Sequence, residues 1–381
     1  MGCRVSYVPL GELAEFESGG TPSKKIESYW HGSIPWISAK TLVGDTVYES
    51  DLTISKEGLE SGSKLAPKGS LLLLTRGSGL FKRIPLAIAE KQVAYNQDIK
   101  CINSNAKGIS NRYLFYALKA IEPAISAMLE TTGIGAGKLA TDRLKALPIP
   151  VLAEDARAKV TSIADCIYGK ISLNAQLNGY LLEMAKVIYR QWFVGGTAKY
   201  PTTTMKLSDI ATINAGGDKP KDVSQTIQPG FCVPIYSNGT DNEGLYGFTS
   251  VAKINEPSVT VSARGTIGFT CLRRRPYYPI VRLISATPKR CVTAEYLYLW
   301  LLNTSVVGVG TTQQQLTVPM FKAYDIKVPE AKAIERFSQT INPLFDAIDS
   351  NKEECIKLAA LRDVLLPRLM SGEIDVRKVA I

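Results

Sequence analysis

The chain has 381 residues, of which 45% are hydrophobic and 21% charged, values that suit a soluble globular protein and argue against a disordered one. Lysine and arginine outnumber aspartate and glutamate by 45 to 35, and the resulting net charge of +10 favours a polyanionic partner. Seven scattered cysteines without a C-x-x-C pair, and a single histidine at His31, argue against a zinc site and predict reduced thiols.

The excess positive charge is concentrated in two segments of the chain. Residues 1–150 carry 18 basic and 14 acidic side chains, and residues 201–330 carry 13 and 9, whereas residues 331–381 balance at 8 and 8. No apolar run approaches the roughly 20 residues of a membrane span, and no signal peptide precedes Val5. We therefore expect a cytoplasmic protein without a membrane contact.

The first predicted element is a loop, FESGGTPSKK at residues 16–25, whose glycines and lysines suggest a phosphate site. The same design returns as INAGGDKPKD at residues 213–222. Five blocks recur in one order: LGELAEFESGG, IPWISAKTL, LLLLTRGSG, NRYLFYALKA and TTGIGAGKLATDRLKALPIPV, then LSDIATINAGG, VPIYSNGTD, VTVSARGTIG, AEYLYLWLLN and VGVGTTQQQLTVPMFKAYDIKVP. Matching residues lie 197 apart at Leu10 and Leu207 but 177 apart at Leu139 and Leu316. The chain is therefore an internal repeat whose second copy is shorter.

After each copy, short β-type runs give way to a long helical pattern. Apolar residues recur at spacings of three and four across residues 156–193 and again across 333–370, which predicts two long helices with one apolar stripe each. A helix of about 38 residues would be about 57 Å long. Pro343 is expected to kink or interrupt the second helix near its start.

The two stripes predict that the helices pack on each other as a parallel or antiparallel coiled coil. Asn174 and Asn351, which lie at matching positions, would fix the register of this seam. The alternative is that each helix covers only its own domain. The predicted interface consists of Ile163, Ile167, Asn174, Leu177, Leu181, Met184 and Ile188 in the first helix and Leu344, Ile348, Asn351, Leu358, Leu361 and Leu365 in the second.

Motifs for catalysis are weak in this sequence. GIGAGKL at residues 133–139 lacks the spacing of a P-loop, and Leu139 stands where a serine or threonine must reach magnesium. A Ser-His-acid triad would depend on His31, which lies between aromatic residues and a glycine and is better explained as a packed or surface side chain. No Asp-Pro-Pro-Tyr or Asn-Pro-Pro-Tyr motif of an amino-methyltransferase occurs. We expect a protein that catalyses nothing by itself.

Residues suited to nucleic acid are better represented. Arg76 in TRGS and Arg264 in ARGT each leave an apolar run and enter a turn, where a guanidinium can bind guanine, clamp a phosphate, or simply satisfy loop carbonyls. Three consecutive arginines at residues 273–275 lie beside Tyr277 and Tyr278 and suit contacts to the backbone of a nucleic acid. The alternative is a solvated hairpin. TTQQQ at residues 311–315 offers glutamines that can read adenine, and its counterpart is the glycine-rich segment 133–138.

At these residues the sequence resembles the specificity subunits of Type I restriction–modification enzymes. The resemblance covers essentially the whole chain, and its most telling parts are LGELAEFESGGTPSKKIESYWHGSIPWISAKTL at the start and LAALRDVLLPRLMSGEIDV at the end. The family's opening motif falls on Gly19, Gly20, Thr21 and Pro22 and on residues 34–40. The second copy departs from it, because it has GGDKPKD and lacks the YWHGSIPW block.

The resemblance implies an α+β protein with two mixed α/β target-recognition domains in a pseudo-twofold repeat, separated by two helices that form an antiparallel coiled coil. The expected segments are recognition domains at residues 1–152 and 201–330, a central helix at 153–200 and a distal helix at 331–381. The domains would read a bipartite, asymmetric target in double-stranded DNA. Two S-adenosylmethionine-dependent methyltransferase subunits and an ATP-dependent restriction subunit would be the protein partners, and this chain would hold no cofactor or metal.

The chemistry of the side chains gives a set of predicted DNA contacts. In the first copy these are Lys24, Lys25, Ser38, Lys40, Arg76, Ser78 and Lys138; in the second they are Lys219, Lys221, Ser237, Asn238, Arg264, Thr266, Arg274, Thr311, Gln313 and Gln314. Two other functions stay open. One is a two-headed adaptor that binds proteins without DNA specificity, which the basic charge of both copies disfavours. The other is a stand-alone enzyme such as a nuclease, for which a metal or nucleophile constellation is missing.

Overall fold

A computed structural model describes residues 4–133, 135–196, 198–308 and 314–378. The chain forms two compact units, one of residues 1–173 with 354–381 and the other of residues 174–353. Each unit therefore combines one globule of sheets and short helices with half of each long helix.

Unit 1 contains fourteen strands and five short helices among its described residues. The strands are β1 (Val5–Pro9), β2 (Ala14–Ser18), β3 (Trp30–Ile37), β4 (Thr46–Val47), β5 (Thr53–Ile54), β6 (Lys64–Ala66), β7 (Leu71–Leu74), β8 (Arg76–Gly77), β9 (Leu86–Ala89), β10 (Val93–Tyr95), β11 (Ile99–Ser104), β12 (Glu130–Thr131), β13 (Gly137–Lys138) and β14 (Pro148–Leu152). The helices are α1 (Leu10–Leu13), α2 (Lys56–Gly62), α3 (Asn111–Ala120), α4 (Glu122–Ser126) and α5 (Thr141–Lys145), and the long helix α6 (Glu154–Phe193) begins in this unit.

The core of unit 1 lies between its central sheet and its helices. The sheet has the order β2-β11-β7-β9-β4, and β7 is buried along its whole length, as expected for a run of four leucines covered on both faces. Helix α3 packs on this core and begins at Ser110, whose side chain accepts a hydrogen bond from the Tyr113 N–H at 3.1 Å. Smaller sheets have the orders β5-β3-β10-β6, β12-β13-β8 and β1-β14.

Unit 2 repeats this plan with fewer elements. Its described strands are β15 (Thr202–Lys206), β16 (Ala211–Ala215), β17 (Val233–Tyr236), β18 (Leu245–Thr249), β19 (Ser258–Val261), β20 (Thr270–Arg273), β21 (Tyr278–Pro279), β22 (Ile284–Pro288) and β23 (Asp325–Pro329). Its helices are α7 (Leu207–Ile210), α8 (Ala294–Leu302), α9 (Val318–Lys322) and α10 (Ala331–Met370), the last of which ends in unit 1. The sheets have the orders β16-β22-β19-β20, β18-β17-β21 and β15-β23.

Equivalent hydrogen bonds show that the repeat in the sequence is also a repeat in structure. The hydroxyl of Tyr113 in α3 donates to the carbonyl of Pro150 at 2.9 Å, and that of Tyr296 in α8 donates to the carbonyl of Lys327 at 2.5 Å. In both units the first helix follows the first strand, which pairs with the last strand of the globule. The predicted duplication of a mixed α/β domain is confirmed.

The long helices pack together in antiparallel fashion within each unit. In unit 1 the start of α6 shares a core with the end of α10, through residues that include Ala156, Val160, Leu366 and Leu369. In unit 2 the end of α6 shares a core with the start of α10, where the rings of Phe193 and Phe337 lie 4.9 Å apart. The antiparallel helix pair is therefore confirmed, and each half also covers the globule of its own unit.

The seam between the helices differs in part from the predicted interface. Asn174 is buried, and Asn351 donates to the side-chain oxygen of Asn178 at 2.8 Å. Leu177, Met184 and Leu361 were expected in the seam but are exposed. The other apolar residues predicted there are buried or half-buried: Ile163, Ile167, Leu181, Ile188, Leu344, Ile348, Leu358 and Leu365.

A buried alanine explains why Met184 lies outside the seam. In unit 2 the buried residues of α6 are Asn174, Ala185, Tyr189 and Phe193, and two of them, Ala185 and Tyr189, follow the predicted Met184 and Ile188 by one residue. One residue is about 100° around a helix, so Met184 points away. Alanine contributes little to a hydrophobic pattern although it permits close helix packing, and the larger Met184 dominated the pattern. Helix α10 continues through Pro343, so the predicted interruption is wrong there, and the alternative of a kink stays a prediction.

Candidate nucleic-acid interface

In unit 1, loops from distant parts of the sequence converge on the turn at residues 96–98. The Asn96 N–H donates to the carbonyl of Ile37 at 3.0 Å, at the end of β3. The Thr75 N–H, at the end of β7, donates to the carbonyl of Asp98 at 2.7 Å, and the Thr21 hydroxyl donates to Gln97 at 2.6 Å. We name residues 19–25, 38–41, 75–78, 96–98 and 137–138 the unit 1 loop face.

Two basic side chains that the sequence separates by 62 residues become neighbours on this face. Arg76 and Lys138 are direct partners in the antiparallel pairing of β8 with β13, so their side chains lie on the same side of the ladder, and both are exposed. On the other flank of Lys138 lies Glu130, which is paired with Arg143 at 3.2 Å. The acidic charge of Glu130 is thus balanced locally, and the row remains net positive.

The glycine loop FESGG packs against the protein and does not form a phosphate cradle. The Gly20 N–H donates to the carbonyl of Tyr95 at 2.9 Å and is therefore already used. A Cβ on Gly19 would lie 2.2 Å from the Tyr95 carbonyl oxygen, and one on Gly20 would lie 2.0 Å from that of Gly62. These positions are glycine because two backbones approach closely. The adjacent Lys24 and Lys25 are exposed in a turn.

The polar residues after β3 have local roles. The Ser38 N–H donates to the Thr41 hydroxyl at 2.9 Å, and the Ser38 hydroxyl accepts from the Lys40 N–H at 3.3 Å. This turn leaves the side chain of Lys40 exposed. Ser78, which begins a short 3₁₀ turn after β8, is exposed as well. On the unit 1 loop face, the turn after β3 and the turn after β8 therefore both present polar groups to the solvent.

Unit 2 has the corresponding face, organised around residues 280–283. The Ile280 N–H donates to the carbonyl of Tyr236 at 2.9 Å, and the N–H groups of Val281 and Arg282 donate to Gly217 and Gly216 at 2.8 and 2.9 Å. We name residues 216–221, 237–239, 264–266, 280–283 and 314–315 the unit 2 loop face. Three of its predicted contact residues, Lys219, Lys221 and Thr266, are exposed, and Ser237 is half-buried.

The centre of the unit 2 loop face includes two residues that sequence reasoning missed. Val281 and Arg282 have left-handed backbone conformations, with φ of 51° and 60°, and both are exposed. A β-branched residue rarely adopts this conformation, and such strain collects at functional sites. The segment YPIVRLI reads as a continuous strand, so no local signal marked the turn. Arg282 adds a cation to this face.

The arginine that follows β19 is held by a glutamine. The Arg264 Nη2 donates to Gln315 Oε1 at 3.1 Å, and Gln315 was not among the predicted contacts. Both residues border an open groove of about 620 Å³ whose lining includes Ile267, Val306 and the exposed Gln314. Thr311 and Gln313, which were also predicted to contact DNA, lie outside the described residues.

Two predicted DNA contacts in unit 2 have structural partners instead. The Asn238 Nδ2 donates to the carbonyl of Val281 at 2.5 Å, and its Oδ1 accepts from the Ala263 N–H at 2.8 Å. Both ends of this carboxamide are therefore used to join the loops of the face. Arg274 lies in a network of three carboxylates, those of Glu295, Asp346 and Asp349. These hydrogen bonds give both side chains a structural role, and their contact with DNA stays a prediction.

Three consecutive arginines anchor the unit 2 globule to α10 and to its own loops. Arg274 donates to Glu295, Asp346 and Asp349 at 3.0, 2.7 and 2.7 Å. Burial alone would lower the pKa of Arg274, but the hydrogen bonds to Asp346 and Asp349 outweigh it and raise the pKa. Its neighbours act similarly: Arg275 pairs with Glu353, and the buried Arg273 lies 3.5 Å over the ring of Tyr236.

Buried titratable groups near the loop faces are neutral and structural. Burial raises the pKa of the Tyr95 hydroxyl, which donates to Glu17 at 3.4 Å, and burial also raises the pKa of the Cys101 thiol. His31 is exposed. Within the described ranges, no cluster of three or more histidine, cysteine, aspartate or glutamate side chains could hold a metal. In the same part of the chain, no helix has the length and apolar character needed to cross a membrane.

A second kind of surface is apolar and lies on the long helices. In unit 2, four exposed side chains of α6 follow helical spacing: Leu177, Tyr180, Met184 and Val187. In unit 1, α10 exposes Ile356, Leu361 and Val364. Leu361 and Val364 lie 177 residues after Met184 and Val187, the same offset that relates the two copies at this end of the repeat. Each unit therefore presents one version of a similar apolar face.

Comparisons with known proteins agree with this repeat. The family model of the Type I restriction modification DNA specificity domain matches residues 4–178 and again residues 201–359. The Type I restriction enzyme MjaIX specificity subunit of Methanocaldococcus jannaschii is 23% identical over 413 aligned positions, which cover 97% of this chain and 93% of that protein. A putative type I specificity subunit of Mycoplasma pneumoniae is 36% identical over 141 residues, 37% of this chain and 39% of that one.

One solved structure has the same fold. The crystal structure of a Type-I restriction-modification system S subunit from M. genitalium matches with a TM-score of 0.58 at 14% identity and covers 96% of each chain. At 14% sequence identity, this structural similarity is evidence for the fold of the chain alone. The family model, in contrast, accounts for most of the chain in two separate matches. The chain therefore belongs to the family of Type I restriction-modification specificity subunits.

Proposed function

We propose that this chain is a non-catalytic DNA reader that recognises a bipartite, asymmetric sequence in double-stranded DNA and holds the catalytic subunits beside it. The unit 1 globule would read one half of the target and the unit 2 globule the other. The observation that carries the proposal is the occurrence of an exposed, arginine-bearing loop face at equivalent places in both units. Family membership supports the same function.

The chemistry of the two loop faces explains why the target would be asymmetric. Unit 1 offers Arg76 beside Lys138, whereas unit 2 offers Arg264 beside Gln315. Cations supply affinity for phosphates, and side chains that reach base edges supply specificity. Because the scaffold is shared and these side chains differ, the two halves of the target would have different sequences.

The apolar faces of the long helices support the proposed role as a scaffold. Exposed apolar residues at helical spacing suit a helix of another protein, which would bury them in a small bundle. Met184 and Val187 in unit 2 match Leu361 and Val364 in unit 1, so two copies of one partner would fit. We assign these faces to two methyltransferase subunits, which would bring S-adenosylmethionine and the adenine chemistry. An ATP-dependent restriction subunit would join this complex.

A DNA-binding titration of the chain with its methyltransferase subunit tests the proposal. Double-stranded DNA that contains the target should bind at least about a thousandfold more tightly than DNA without it, as is usual for specific readers. The logarithm of the affinity should fall linearly with the logarithm of the salt concentration, because phosphate contacts release counterions. A complex that binds no DNA, or binds every sequence equally, would support the protein-binding adaptor instead.

A further inference from the structure

We propose that the pair formed by each loop-face arginine and the residue opposite it, Arg76 with Lys138 and Arg264 with Gln315, reads guanine in a G·C base pair of its half-site. This inference rests on the DNA-reading function proposed above. These side chains would contact bases, whereas the proposed function holds equally if they contact phosphates.

The two pairs occupy equivalent positions in the fold. The Leu139 N–H donates to the carbonyl of Thr75 at 2.9 Å in unit 1, and the Leu316 N–H donates to the carbonyl of Ala263 at 3.0 Å in unit 2. In each unit the arginine comes directly after the residue whose carbonyl accepts this hydrogen bond. The partner of the arginine comes directly before the leucine whose N–H donates it. The same backbone bond therefore places the arginine and its partner side by side in both units.

The polar groups that each pair presents are donors. Arg76 and Lys138 carry only N–H donors. In unit 2, the Gln315 carbonyl already accepts from Arg264 at 3.1 Å, which directs that oxygen to the arginine. Among the residues that the structure describes, the N–H groups of the Gln315 amide and the remaining N–H groups of Arg264 have no other hydrogen-bond acceptor, so they can serve a ligand.

A surface of donors distinguishes guanine from the other bases in the major groove. Guanine presents two neighbouring acceptors there, N7 and O6, whereas adenine presents one acceptor beside its N6 amino donor. A second donor from the protein would face that amino group without a partner. For this reason we assign Gln315 to guanine, although a free glutamine with both ends available suits adenine.

Gln315→Glu, in the full chain assembled with its methyltransferase subunit, tests the assignment in unit 2. The substitution replaces the amide donors by an acceptor that pairs with Arg264. The complex is given S-adenosylmethionine and a DNA library in which every position of the target is randomised. We expect the preference for G·C at one position of one half-site to fall about tenfold or more, the usual range for a lost bidentate contact, while the other half-site keeps its sequence.

Lys138→Glu is the matching test in unit 1 and should alter the opposite half-site. Gln225→Glu and Lys107→Glu, at exposed positions outside the loop faces, make the same changes and should leave both half-sites unaltered. If a glutamate variant fails to fold, Gln315→Ala or Lys138→Ala removes the donor without adding charge, and the same loss is expected.

Two results would overturn the assignment while leaving the proposed function intact. One is a uniform loss of methylation at all sequences, which would identify phosphate contacts. The other is an unchanged preference in both half-sites. A wild-type complex that methylates without sequence preference would instead reject the proposed function itself.

Discussion

At the scale of single residues, the strain in the unit 2 loop face is concentrated at Val281. Its φ of 51° is a conformation that costs a β-branched residue about 1–3 kcal/mol, whereas glycine adopts it freely. The residue nevertheless lies at the centre of the face, where its N–H donates to the carbonyl of Gly217. Strain retained at such a place indicates that the exposed valine side chain is useful there.

Val281→Gly is therefore expected to raise the free energy of unfolding by about 1 kcal/mol, the relieved strain less the entropy that glycine gains in the unfolded chain. Urea unfolding of the full chain measures this change. The control is Val251→Gly, an equally exposed valine without a left-handed φ, which should lower the free energy instead. Equal losses in both variants would contradict the account of strain at Val281.

Cysteine reactivity is a second prediction at this scale. Cys166 and Cys232 are exposed, whereas Cys101 and Cys271 are buried. Burial raises the pKa of Cys271 to about 11 and also raises that of Cys101, so both remain neutral thiols at pH 8. Iodoacetamide at pH 8 should modify Cys166 and Cys232 in the folded chain and the other two only in denaturant, as mass spectrometry would show. Early modification of Cys271 would contradict its burial.

At the scale of elements, the helices could be predicted from the sequence better than their contacts. The spacing of apolar residues located α6 and α10 to within two residues of their observed starts. It placed the exposed Met184 in the seam, however, because a hydrophobic pattern gives more weight to a large apolar residue than to the neighbouring Ala185, which is buried. Arg274 and Arg275 show the same limit, since their carboxylate partners on α10 are more than 70 residues away in sequence.

The exposed apolar faces predict the stoichiometry of assembly. Met184→Glu in unit 2 and Leu361→Glu in unit 1 each place a charge on one face and should each reduce the number of copurified methyltransferase subunits from two to one. The double variant should retain none. Val251→Glu, at an exposed valine in the loop after β18, should retain two. Native mass spectrometry measures the copies directly, and two bound copies with the double variant would refute this role of the helices.

The arginine network predicts a modest loss of stability. Asp349→Asn weakens a partly buried hydrogen bond to Arg274 at 2.7 Å and should lower the free energy of unfolding by about 1 kcal/mol. Asp325→Asn breaks an exposed pair with Lys206 and should change it by less than about 0.5 kcal/mol. Urea unfolding compares the two variants. A change at Asp349 no larger than that at Asp325 would show that the network adds little to the stability of unit 2.

At the scale of the whole molecule, the repeat could be predicted from the sequence, and the convergence of its loops could not. Matching blocks identified two copies because they share order and spacing. The meeting of Thr21, Ile37 and Thr75 at the turn of residues 96–98 depends on strand order in several sheets, which a single sequence does not reveal. The glycine motif also lies at this turn, but for a structural reason that the sequence did not reveal, since Gly19 permits the close approach of the Tyr95 backbone.

We propose that two units of one chain read the two halves of a DNA target. The decisive experiment maps methylated adenines in the DNA of cells that carry this chain with its methyltransferase, and in cells without it. We expect methylation that depends on the chain and occurs at one motif of two different half-sites separated by a spacer of fixed length. Methylation at a single continuous motif, or at adenines without a common sequence, would contradict it.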